Sequence, residues 1–170
     1  MDTTQSVPER VAAAQAAAKP SEDRIAEIFD LGDAQTLSVS LAEDLRAATV
    51  ALELATVDIY SAFESQMQHH FKRGPFSRKL KNLLIDAGKT DLADRVHHYY
   101  LAANVLKHGK GASHRELLNA PTSLYAVKAV QDVAVDDDHP ATGLIDVTGP
   151  DFFAGLTKTI LEAYQFLEKK

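Results

Sequence analysis

The chain has 170 residues, 45% hydrophobic and 25% charged, a composition that excludes an intrinsically disordered segment and suits one domain around one core. It contains no cysteine, which excludes disulfides and thiolate metal sites. The net charge of −6 is uneven: residues 1–64 carry 4 Lys/Arg against 12 Asp/Glu, residues 65–119 carry 10 against 4, and residues 120–170 carry 4 against 8.

Residues 1–20 read as a flexible N-terminal tail, helical at most over residues 11–18, and residues 21–170 as a single helical-bundle domain. Glu9 and Arg10 stand where a signal peptide needs an apolar stretch. No apolar run approaches the roughly 18 residues of a membrane span. A cytoplasmic protein without a membrane partner is therefore expected.

Pro20 and Ser21 are expected to open a short helix with Ile25, Ile28 and Phe29 on one face and Gly32 as its stop. Ser40 and Glu43 have capping-box spacing. After them Leu41, Leu45, Ala48, Leu52, Ala55, Ile59 and Ala62 recur every three or four residues, the signature of a long amphipathic helix running towards Phe71. Val50, Leu54 and Val57 widen its stripe, and Gly74-Pro75 ends it. A shorter helix carries Leu80, Leu83, Leu84 and Ala87 to Gly88. Thr90 then caps a second long helix with Leu92, Val96, Tyr99, Ala103 and Leu106 inside and Gly109 at its end. Ser113 and Glu116 repeat the capping-box spacing. Beyond them Val127, Ala129, Val133 and Val135, then Leu144 to Thr148, favour β structure around the turn-rich residues 136–140 and predict a small hairpin. A last helix follows, capped by Thr148 and Asp151, with Phe153, Leu156, Ile160, Ala163 and Leu167 inside. The predicted fold is mainly α, an up-and-down helical bundle with a small β-hairpin before the last helix.

Most catalytic templates are absent: the chain has no His-Glu-x-x-His and no Gly-x-x-x-x-Gly-Lys-Ser/Thr. No metal site or cofactor is expected. The neighbours in His69-His70 and His97-His98 diverge by about 100° on a helix, and His97 and His108 stand three turns apart. His139 beside Asp136, Asp137 and Asp138 reads as a solvated acidic turn.

Chemistry concentrates in the basic middle, which holds six of the seven histidines and has no acidic residue between Glu64 and Asp86. Such a belt meets a polyanion or pairs with the acidic flanks of the same protein. Within it, Asn104 and His108 are one helical turn apart. The helix C-terminus favours a cationic His108, and Lys107, Lys110, His114 and Arg115 crowd the same corner. A histidine for proton transfer, an amide to orient and cations to hold phosphate are the ingredients of phosphodiester chemistry. A capped helix whose Asn and His serve a neighbouring loop uses the same residues.

The stretch from Ala103 to Gly111 resembles the motif of the HEPN domains, a superfamily of helical bundles that includes RNases and RNA-binding modules. Their motif is an Arg, often followed by Asn, with a His at the end of the same long helix; Asn104 and His108 fall at the matching positions. Ile59 to Glu64 resembles the aromatic–Glu pattern of several branches, and Leu144 to Thr148 leading into Phe152 and Phe153 resembles their closing strand and helix. The likeness covers about residues 40–168. It departs at the arginine, whose place falls on Leu101, Ala102 or Ala103.

The resemblance implies a homodimer with one shared cleft. Lys107, Lys110 or a cation of a second subunit would then replace the missing arginine. One reading is a catalytically weakened or inactive module that binds RNA, a nucleotide or an antitoxin-like protein partner. Another is a metal-independent RNase of a defence or toxin system, with His108 as acid/base and Asn104 orienting. The third is a dimerisation scaffold without a ligand.

Overall fold

The computed structural model describes residues 5–32, 37–130 and 143–170, and these form a bundle of six α-helices. They are α1 (Val7–Asp30), α2 (Val39–Met67), α3 (Phe76–Asp86), α4 (Thr90–His108), α5 (Ala112–Asn119) and α6 (Phe152–Glu168). A 3-10 turn, Gln68–His70, follows α2. No helix among the described residues is long and apolar enough to cross a membrane.

Residues 7–20, expected in a flexible tail, belong instead to α1, and Pro20 lies inside that helix rather than opening one. Ser6 caps it in a full capping box: the Ser6 N–H donates to Glu9 Oε2 at 2.7 Å, and Glu9 N–H donates to Ser6 Oγ. An alanine-rich stretch of high helix propensity follows. Val7, Val11, Ala18, Ile25 and Ile28 are buried along one face. An interior proline costs about 3 kcal/mol, and burying each full-sized aliphatic side chain returns about 1.5–3. The continuous apolar face therefore outweighs the break.

α2 starts at Val39, because Ser38 and not Ser40 supplies the cap, accepting from Leu41 N–H at 3.2 Å. Ala48, Leu52 and Ile59 are buried as the periodicity requires, but so are Thr56, Tyr60 and Phe63, while Leu54 stays 60% exposed. The inner face of α2 is thus rotated from the predicted one. Helix α4 occupies the centre, packing on α2, α3, α5 and α6. Its predicted face is buried through Leu92, Val96, Tyr99 and Ala103, with Leu106 partly covered, and Ala93, Leu101, Ala102 and Val105 are buried as well. Arg95 ties α4 to α6, donating to Thr159 Oγ1 at 3.1 Å and pairing with Glu162. Gly109 ends α4 with φ +74°, and its N–H donates to the Val105 carbonyl. The predicted inner face of α6 is buried throughout.

The predicted hairpin is not seen. Among the described residues there is a single antiparallel bridge, Val127 to Ile145, held by Lys128 N–H to Leu144 O and Asp146 N–H to Ala126 O. Val133, Val135 and residues 136–140 lie outside the described residues. Leu144, Ile145 and Val147 are buried in the helical core, so their β-favouring side chains pack an extended segment against helices rather than line a sheet. The preceding stretch is pinned by the Tyr125 hydroxyl, which donates to the His98 carbonyl, and by Tyr125 stacking edge-on against Phe152.

Candidate functional site

The six residues expected to share one corner point in three directions. His114 is 3% exposed, and its Nε2 donates to the Lys128 carbonyl at 2.7 Å, so it anchors the chain after α5 and cannot reach a phosphate. Asn104 is half-buried and donates to Ser113 Oγ at 3.3 Å, closing the α4–α5 corner. Lys107 lies with Glu64, Ser61 and Gln68 at the rim of α2. Burial pushes the Glu64 carboxyl above its ordinary range, and Lys107 opposes that shift. The side chains of His108, Lys110 and Arg115 are exposed and, among the described residues, have no hydrogen bond or ion pair.

The three positions where the HEPN arginine would stand are all in the core: Leu101 is 3% exposed, Ala102 0% and Ala103 4%. A cation at 102 or 103 would face packed side chains, whereas Leu101 also borders the cleft between α3, α4 and α5. His108 thus lacks both the arginine of the motif and a partner that orients its ring.

A different face of α4 gathers chemical groups. A cleft of about 580 Å³ opens between α3, α4 and α5. Arg78 and Lys81, one helical turn apart on α3, form one wall; neither has an ion-pair partner among the described residues. His97 and Tyr100 of α4 and Glu116 of α5 form the other. His97 Nε2 and Glu116 Oε2 are 2.6 Å apart, so the carboxylate facing the cleft is already engaged. The Tyr100 ring lies 6.3 Å from that of His97, in a tilted contact. Ser113 and Glu116, whose spacing suggested a capping box, are used across the α4–α5 interface instead, while Gly111 takes the cap position without a side-chain bond.

Two unpaired cations, an aromatic ring and an imidazole–carboxylate pair in one cleft can hold a phosphate and stack a base. Arg78 and Lys81 were visible in the sequence only as part of the acid-free basic stretch. The i, i+3 spacings of Arg78–Lys81 and His97–Tyr100 each place two groups on one helix face, but nothing in the sequence says that the two faces meet.

The second histidine pair also departs from expectation. His69 and His70 lie in the 3-10 turn, and their rings are 4.2 Å apart at a tilt of 34°, close to stacked rather than diverging.

No family model, characterised protein or solved structure matches this chain.

Proposed function

We propose that the chain is a HEPN-like module that binds single-stranded RNA or a nucleotide, works as a homodimer, and does not cleave its ligand. The observation that carries this reading is the α3/α4/α5 cleft, where Arg78 and Lys81 have no ion-pair partner among the described residues and Tyr100 offers a ring. Phosphates bound there would neutralise the two cations, and a base would stack on Tyr100. The RNase reading through His108 is the weaker one: the arginine positions are core positions, and no described residue orients His108. A scaffold without a ligand leaves the unpaired cations of the cleft unexplained.

Fluorescence anisotropy with a labelled single-stranded RNA, followed over a salt series, tests the proposal. Binding should weaken with salt, and Arg78→Ala with Lys81→Ala should flatten the log–log slope by about 1.4, two phosphates at ~0.7 each. Binding that survives the double substitution unchanged, or no binding at low salt, would overturn it. Sedimentation equilibrium should give twice the chain mass at micromolar concentration, and a clean monomer would remove the homodimer.

A further inference from the structure

We propose that His69, His70 and Glu168 form a binding site for a divalent transition metal of the zinc class, joining the end of α2 to the end of α6. The three residues each place a nitrogen or carboxylate oxygen within 4.8 Å of the others. Two belong to the turn after α2 and the third is the last residue of α6, nearly a hundred positions further along the chain, so local sequence does not explain why they meet.

The hydrogen bonding suits a metal. His69 Nδ1 lies 2.8 Å from the Gln66 carbonyl, which can only accept, so Nδ1 carries the proton and Nε2 keeps its lone pair. This is the usual state of a metal-bound imidazole, whose second nitrogen donates to a backbone carbonyl. His70 Nε2 is buried and has no hydrogen-bond partner. It stands 3.5 Å from Glu168 Oε1, outside hydrogen-bond range in this geometry. A buried polar atom left without a partner is costly, and a ligand between it and the carboxylate removes that cost. The side-chain oxygen of Gln66 is likewise buried and unpartnered.

The distances are close to what coordination needs. Bonds of about 2.0–2.1 Å in a tetrahedron place neighbouring donors roughly 3.3 Å apart. The His70–Glu168 edge is already near that length, and the remaining donor separations are at most 4.8 Å. The His69 ring is exposed and Glu168 is half-exposed, which leaves room for water as a fourth ligand. Two imidazoles and one carboxylate suit zinc, nickel or cobalt better than calcium or magnesium, which prefer oxygen ligands. Lys72, Arg73, Lys169 and Lys170 flank the three residues in sequence and oppose a cation, so binding should be tighter at higher salt.

The test uses the full chain with Zn²⁺ alone in calorimetry and Co²⁺ alone in visible spectroscopy. Expected are one Zn²⁺ per chain, a cobalt spectrum of low coordination number, and a melting temperature raised by about 5–10 °C at a metal concentration a hundredfold above Kd. Glu168→Gln and His69→Ala change exposed side chains, should fold, and should each weaken binding by at least about tenfold. Lack of stoichiometric binding at submillimolar Zn²⁺ would overturn the proposal. Affinity unchanged from the wild type in both variants, or loss of binding with His97→Ala instead, would overturn it as well.

Discussion

Substituting Ala103→Arg places an arginine where the proposed HEPN resemblance would have one and sets that resemblance against the packing. Ala103 is 4% exposed and sits in the central helix beside fully buried Ala102 and Leu101 at 3%. A guanidinium there adds several heavy atoms to a filled core, which costs about 1–3 kcal/mol by overpacking. Removing its charge from water without a carboxylate in reach adds a comparable amount, for a total on the order of 3–5 kcal/mol. For a chain of this size each kcal/mol lowers the melting temperature by about 2–4 °C, so a fall of roughly 6–20 °C is expected. Thermal denaturation by circular dichroism measures it, with Leu54→Arg as the control. Leu54 is 60% exposed and its substitution should stay within about 0.5 kcal/mol. The same samples are assayed for RNA cleavage in EDTA. A variant that melts with the wild type and cuts RNA in a His108-dependent way would refute the reasoning, because position 103 would then open to a ligand and the chain would be one residue from an enzyme.

Gly155→Ala should destabilise, although alanine is the better helix former by about 1 kcal/mol. A Cβ at position 155 collides with the Tyr99 hydroxyl, so the melting temperature should drop by several degrees, and Tyr99→Phe in the same chain should recover part of the loss. Tyr60→Phe removes the 2.8 Å bond between two buried groups and leaves Ser77 Oγ alone; urea unfolding should show a loss of about 1–3 kcal/mol, and the further change Ser77→Ala should cost little more. Burial raises the carboxyl of Glu53 above its ordinary range, with the Gly143 N–H opposing. The folded state therefore holds that proton more tightly than the unfolded one, and the stabilisation present below about pH 4.5 is lost as pH rises through the folded value. Urea midpoints measured upward from that pH should fall less steeply in Glu53→Gln, and parallel curves would remove Glu53 as the cause.

The helices of this chain were legible where periodicity and stop residues agree. In α4 the residues spaced four and three apart are buried, and Gly109 takes the left-handed conformation at its end. In α6 the whole predicted stripe is inside. Errors arose where local rules compete. Pro20 is a strong break signal, yet the apolar face from Val7 to Ile28 continues through it, and long-range burial prevails over a single backbone penalty. Ser38 and Ser40 are both good caps two residues apart, and sequence cannot say which reaches a free N–H first. The valines around position 127 favour β structure wherever a pleated, half-buried surface exists; among the described residues the helical core provides that surface for one bridge only.

The candidate site was legible in composition and not in position, for a reason that also bears on catalysis. Helix α4 is contacted by four other helices, so few of its faces remain open to a ligand. Leu101, Ala102 and Ala103 are all buried, and Asn104, one residue on, is drawn to Ser113. The side carrying His97 and Tyr100 opens into the α3/α4/α5 cleft, whose α3 wall comes from the acid-free stretch between Glu64 and Asp86. An arginine at 102 or 103, where the HEPN resemblance would want one, would have to lie where apolar atoms already are, which argues against a phosphate held there beside His108. The cleft can still present His97, Tyr100 and the α3 cations on the opposite wall, where ground-state binding needs no group aimed at a reacting atom. On the proposed reading, the core packing that argues against cleavage beside His108 leaves the His97–Tyr100 side of α4 as the face for binding.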